Sequence, residues 1–253
     1  MKSDKYISNY SLKLYILFQR HPFLRRLKIL MLFIDSVLLI LIKKPKQQEN
    51  IKKQILVIYN FAFGDGVIWL CSAQKLKEIY PSSEYEITLI CQKGLHYLYE
   101  NQHFFDQIIP LDLTSATYNI KSRYKLYKKL RTRRYDIVLD PIGVAECTTN
   151  VFMSQAVVAK EKISILDTTL KIKLCPQWLI KRIYTKIIEI KKPHLSLLEF
   201  YAEFIRGLSK SNFPVSLYKP IGEKLRLKVP RKYFVIFPSA STYLKCWPLE
   251  NYV

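Results

Sequence analysis

The stretch ILVIYNFAFGDGVIWL, Ile55 to Leu70, decides the fold. Its first five residues are apolar without a break, as expected of a strand covered by helices on both faces. A glycine-flanked acidic turn follows, and then an apolar run at helical spacing. Strand, loop and helix in that order open a parallel α/β sheet, in which ligands bind at the loop after the strand's carboxyl end. Asn60 opens this loop, Gly64 and Gly66 let the backbone approach a ligand closely, and the helix start offers unpaired backbone N–H groups. Asp65 has two readings, an N-cap of the helix or a general base facing the ligand. The loop is not a dinucleotide fingerprint, because GxGxxG is absent.

Toward the C-terminus the alternation continues. A helical stretch Val67–Ile79 leads to a strand Tyr85–Cys91, a short apolar run Gln107–Leu111, a basic helix Ser122–Arg133 and a strand Ile137–Asp140. A glycine-containing loop and another helix carry the chain to Ala156. The runs ILVIY and DIVLD are continuous in polarity, so the expectation is an α/β, Rossmann-like domain with a doubly wound parallel sheet over residues 51–211. Asp140 either lines the same cleft as Asp65 or caps the turn after its strand. Beyond His194, residues Ser196–Gly207 read as an amphipathic helix closed by Gly207. Residues 212–230, with Pro214, Pro220, Gly222 and Pro230, read as an interdomain connection, and residues 231–253 as the start of a second α/β unit.

That second start is VIFPSASTYLKCWPLENYV, Val235 to Val253. Ser239, Ser241, Thr242 and Lys245 stand between a strand and a helix opened by Pro248. Hydroxyl, ammonium and backbone N–H donors converging there suit a diphosphate. The same residues also suit a polar loop with an ordinary surface lysine.

Toward the N-terminus, KKPKQQENIKK (Lys43 to Lys53) is a polar linker, and residues 1–50 form a basic and apolar segment. Leu27–Ile42 is nearly all apolar and flanked by Arg25, Arg26, Lys43, Lys44 and Lys46. It is too short to span a bilayer comfortably, and Asp35 near its middle opposes a crossing. On a helical wheel Arg25, Lys28, Asp35 and Ser36 share one half, and Leu30, Phe33, Ile34, Val37, Leu38 and Leu41 mostly the other. That pattern suits a helix lying in a membrane interface or one packed on the rest of the protein.

Forty-one Lys and Arg against 20 Asp and Glu give the 253-residue chain a formal charge of +21, which favours an anionic partner. Nucleic acid is the poorest candidate, because no RNA-binding signature or zinc-finger spacing is present. The five cysteines are odd in number and widely spaced, which argues against a disulfide framework and for a reducing cytoplasm. None of the four histidines has a partner at metal-ligand spacing, so no metal site is expected.

Taken in order, ILVIYNFAFGDGVIWL, YDIVLDPIG (Tyr135–Gly143), HLSLLEFYAEFIRGL (His194–Leu208) and FPSASTYLKCWP (Phe237–Pro248) resemble the motifs of family 9 glycosyltransferases, the ADP-heptose:lipopolysaccharide heptosyltransferases and their relatives. Tyr59, Phe61, Ser72 and Ser239 depart from that pattern. The resemblance implies a GT-B architecture, two Rossmann-like domains across a cleft, with the second one mostly missing after Val253. It implies inverting, metal-independent sugar transfer with no cofactor. A nucleotide-diphosphate sugar such as ADP-heptose would be the donor, and a lipopolysaccharide-core or similar anionic glycolipid or glycan the acceptor. Asp65 would be the catalytic base, Asn60, Gly64 and Gly66 the acceptor-side loop, and Ser239, Ser241, Thr242 and Lys245 the donor-phosphate site. Such an enzyme would sit in the cytoplasm, peripherally on the inner face of the membrane. The alternative is a truncated, inactive acceptor-domain remnant that binds membrane or glycan.

Overall fold

The computed structural model describes residues 21, 27–46, 50–144, 149–170 and 175–221. The chain divides between Ile221 and Gly222, and every described residue belongs to the first unit. The expected second strand–loop–helix start, with Ser239, Ser241, Thr242 and Lys245, therefore lies outside the described residues.

Six strands form one sheet: β1 Lys53–Tyr59, β2 Tyr85–Gln92, β3 Gln107–Leu111, β4 Arg134–Asp140, β5 Val158–Asp167 and β6 Lys186–Ile190. Their order is β3-β2-β1-β4-β5-β6 and every pairing is parallel. This is the expected doubly wound α/β sheet, and its order reverses between β1 and β4. Nine helices are assigned among the described residues: α1 Leu27–Ile40, α2 Phe63–Ala73, α3 Leu76–Ile79, α4 His96–Glu100, α5 Leu113–Tyr118, α6 Ile120–Leu130, α7 Thr149–Ala156, α8 Gln177–Ile183 and α9 Leu197–Ser209.

The alternation of β1 explains its unbroken hydrophobicity. Leu56 and Ile58 enter one core with Tyr127 of α6, Val151 of α7 and Ile180 of α8. Ile55, Val57 and Tyr59 enter the other, with Trp69 and Leu70 of α2 and Tyr201 and Phe204 of α9. Both faces are covered, so neither set of side chains can be polar; each fully buried aliphatic or aromatic side chain contributes about 1.5–3 kcal/mol.

Helix α9 runs two residues past Gly207 and ends at Lys210, which takes a left-handed φ of 55°. Gly207 does not close the helix as expected. Its missing side chain instead admits Ile188 of β6, since a Cβ there would lie 2.5 Å from Ile188 Cγ2. The chain then crosses back over the body without regular structure: Tyr218 Oη and Ile221 N both donate to Gln102 Oε1 at 3.0 Å, and Gln74 Nε2 donates to Ser216 Oγ at 3.1 Å.

Helix α1 packs on the body, and it does so with its polar side. Asp35 is fully buried, Arg123 of α6 reaches its two carboxylate oxygens at 3.2 and 3.1 Å, and Gln155 Nε2 donates to Ser36 Oγ at 2.6 Å. Leu32, Leu39 and Ile42 are buried beside them. Arg131 Nη1 donates to Leu39 O at 2.5 Å and Ile42 O at 2.7 Å, satisfying carbonyls that a helix end leaves free. Leu30, Phe33, Val37, Ile40 and Leu41 face outward, Phe33 at 65% and Ile40 at 81% exposure. Ile34 and Leu38, assigned to the apolar half by the wheel, are half-buried. Among the described residues no helix is long and apolar enough to cross a membrane.

Candidate functional site

Strand β1 ends level with β4, because Val57 pairs with Leu139. The loop Asn60–Ala62 therefore opens beside the point where strand order reverses, which is where open α/β sheets hold ligands. Helix α2 begins at Phe63, earlier than the expected Val67, and its N-cap is Ala62, with φ −68° and ψ 165°. Asp65 is thus not the cap. It is the third residue of the helix, half-buried in the first turn, where the helix dipole favours a carboxylate. No side chain among the described residues caps this end, so its first N–H groups are open to another acceptor.

The two glycines differ in purpose. Among the described residues nothing lies within 4 Å of a Cβ built on Gly64, so its absence of a side chain leaves open room in front of the turn. A Cβ on Gly66 would lie 2.6 Å from Tyr99 Oη and 3.1 Å from Leu98 Cδ2, so packing against α4 demands glycine there. Asn60 in the loop and Gly64, Asp65 and Gly66 in the first turn of α2 follow the carboxyl end of β1.

Beneath this turn lies an aromatic floor. Tyr59 stacks on Trp69 with centroids 5.6 Å apart and planes 10° from parallel. Its hydroxyl is 2.8 Å from that of Tyr201 on α9, and Tyr99 meets its ring edge-on at 6.3 Å. Burial pushes the hydroxyls of Tyr59, Tyr99 and Tyr201 well up, and the Asp65 charge adds to it, so all three stay protonated at neutral pH. Tyr99 Oη and Trp69 Nε1 have no hydrogen-bond partner among the described residues. Phe61 of the loop and Phe63 at the helix start are exposed. Tyr99 and Tyr201 are 34 and 136 residues from Asp65 along the chain, and the only trace of either in the sequence is an aromatic residue in an apolar run.

Asp140 does not line the cleft. It is fully buried at the end of β4, accepting from Asn150 Nδ2 at 2.8 and 2.7 Å, from Tyr184 Oη, and from the Ile142 N–H at 3.2 Å. Burial pushes its carboxyl up to about 6 against the pull of these donors. It fixes the β4–α7 turn, in which Gly143 has φ +94° and a Cβ would lie 2.9 Å from Ile165 O. His194, at φ +59°, is not a cap; Ser196 caps α9, its Oγ accepting from Glu199 N at 3.2 Å. Among the described residues no group of three His, Cys, Asp or Glu is placed to hold a metal.

A scan against protein-family models and a search of curated proteins found no match. Solved structures do match. A glycosyl transferase family 9 protein from Veillonella parvula superposes with a TM-score of 0.53 and 16% identity, over 70% of this chain and 47% of its own. E. coli heptosyltransferase WaaC with ADP gives 0.49 and 15%, over 64% of this chain and 49% of its own. E. coli ADP-heptose lps heptosyltransferase II gives 0.45 and 14%, over 68% and 47%. This chain spans about half the length of these structures, and what it shares with the Veillonella protein at 16% identity is the fold.

Proposed function

We propose that this chain is the acceptor-side half of a glycosyltransferase of the GT-B type. It moves a sugar, a heptose or a related one, from a nucleotide-diphosphate donor to a lipopolysaccharide-core or similar glycan acceptor. The observation that carries this reading is the Asp65 turn, a carboxylate at an uncapped helix start, with open room before Gly64, at the strand-order reversal of a sheet shared with a family 9 glycosyltransferase.

In this reading Asp65 accepts the proton of the acceptor hydroxyl as its oxygen attacks the anomeric carbon, and the donor diphosphate leaves from the opposite face with inversion. The first N–H groups of α2 hold anionic groups of the acceptor, and the Phe61 and Phe63 rings offer apolar surface to a sugar. Ser239, Ser241, Thr242 and Lys245 stabilise the leaving diphosphate. The sequence has no Asp-x-Asp, which agrees with metal-independent transfer. The outward apolar face of helix α1, which is seated on its polar side, supports a position on the cytoplasmic membrane surface, where a glycolipid acceptor is presented.

The test is Asp65→Asn in the native full-length protein, assayed for sugar transfer from nucleotide-diphosphate sugars. Turnover should fall by about 10²-fold or more, with donor affinity and thermal midpoint nearly unchanged. Wild-type turnover in the variant would refute the base assignment.

A further inference from the structure

A second site stands at the other end of the sheet. Lys43 and Lys44 precede β1, Arg131 precedes β4 and Arg182 precedes β6, and with Lys162 of β5 these residues line a cleft of about 530 Å³. The cleft thus lies toward the amino ends of the strands, away from Asp65. No carboxylate among the described residues lines it. Two of its five cations are fixed by the fold: Arg131 through the carbonyls of Leu39, Ile42 and Ala156, and Lys162 through Ser154 O at 2.6 Å. The other three, Lys43, Lys44 and Arg182, are exposed at the rim. Burial and the Arg131 guanidinium hold the Lys162 ammonium down at about 8. Crowded like charges are relieved by an anion between them.

The surroundings identify the source of that anion. Leu30, Phe33, Val37 and Ile40 recur at spacings of three and four along the outer face of α1, a row of roughly 15 Å that ends at the cleft, where Ile40 is part of the lining. Trp178 of α8 is exposed, and it sits one helical turn before Arg182 on the same face. A free phosphate would need the cations alone. An apolar row leading to a cationic cleft, with an exposed tryptophan beside it, matches the cross-section of a membrane surface, where acyl chains meet phosphates and indole rings settle between them. We propose that this cleft seats the phosphate of an anionic phospholipid headgroup while the outer face of α1 and Trp178 enter the acyl boundary. The proposal rests on the membrane placement argued above and is independent of the transferase chemistry.

Vesicle co-sedimentation of the full chain tests it, using phosphatidylcholine vesicles with and without a third of phosphatidylglycerol. Three proteins are compared with wild type: Lys43→Gln/Lys44→Gln/Arg182→Gln at the rim, Phe33→Gln/Ile40→Gln on α1, and Lys191→Gln/Lys210→Gln/Lys219→Gln, which removes equal charge from exposed lysines outside the cleft. Wild type should bind the anionic vesicles, the rim variant about a hundredfold more weakly, and the charge-matched control within a few-fold of wild type. The α1 variant should lose binding to both vesicle types. If the rim variant and its control weaken equally, attraction is general and the headgroup site is refuted, although membrane placement stands. If no vesicle binds, both fall. Inorganic phosphate raising the melting temperature of wild type but not of the rim variant, without vesicle binding, would assign the cleft to a soluble anion. A lipid-free dimer in sedimentation velocity, dissolved by Phe33→Gln/Ile40→Gln, would assign the α1 face to a second copy and overturn the proposal.

Discussion

Asp35 of α1 and Arg123 of α6 form a buried ion pair across 88 residues of chain, with Nη1 3.2 and 3.1 Å from the two carboxylate oxygens. Arg123 also donates to Ala116 O and Thr117 O at 3.0 and 3.1 Å and lies 4.1 Å from the centre of the Phe152 ring. One guanidinium therefore joins α1, α5, α6 and α7. Burial pushes the Asp35 carboxyl up while Arg123 pulls it down. Asp35→Ala leaves the guanidinium buried without its counter-charge and should cost about 3–5 kcal/mol in urea unfolding. Replacing both, as Asp35→Leu with Arg123→Met, should recover most of that loss. A single-variant cost below about 1 kcal/mol would mean that the apolar contacts of Leu32, Leu39 and Ile42 alone seat the helix.

Gly66→Ala drives a methyl group into the Tyr99 hydroxyl, 2.6 Å away, and should destabilise by about 1–3 kcal/mol. Tyr99→Phe removes a buried hydroxyl that has no partner among the described residues and should be neutral or stabilising. Because the clash is with that oxygen, Gly66→Ala should cost less in the Tyr99→Phe background. Strict additivity of the two changes in thermal unfolding would contradict the geometry.

Gly64→Ala separates packing from ligand approach. The position is helical and open, so alanine should leave stability unchanged or raise it by up to about 1 kcal/mol. The transferase reading expects kcat/KM to fall in the same variant. An unaltered kcat/KM would show that no substrate comes close to this backbone.

Asp140 gives a pH dependence of definite sign. Its folded carboxyl titrates at about 6 against an ordinary 3.8, so the folded state binds a proton the unfolded state has lost. The stabilisation is complete below about 3.8 and is lost as pH rises through 6, a change of about 3 kcal/mol. Asp35, also raised by burial, acts in the same sense, so the comparison must be with Asp140→Asn. Melting temperatures between pH 4 and 7 should fall less steeply with pH in the variant than in wild type. Equal slopes would assign the dependence elsewhere.

The sheet was legible where its strands are mostly buried. The run Ile55–Tyr59 is wholly apolar, and Tyr85–Cys91 and Ile137–Asp140 are mostly so, because helices lie on both sides, and each emerges as a strand. Strand β5 gave no such signal. Lys160, Glu161 and Lys162 occupy its open first half, and burial begins only at Ile163. Strand β6, KIIEI, is five residues with two charges and reads equally as a turn of helix. At the candidate site Asp65 and its glycines were visible because they are contiguous, but the helix start was misplaced, since an alanine cap carries no capping signature. The floor residues Tyr99 and Tyr201 come from α4 and α9, and only tertiary packing brings them under Tyr59.

The distance in sequence between Asp35 and Arg123 has a consequence for how the chain is born. At a synthesis rate of about 5–20 residues per second, Asp35 leaves the ribosome roughly 4–18 s before its guanidinium partner does. Through that interval the Asp35 carboxylate lacks the guanidinium that compensates it in the folded chain. Among the described residues α1 is the earliest helix made, yet the pair that seats its polar side is complete only once α6 has followed.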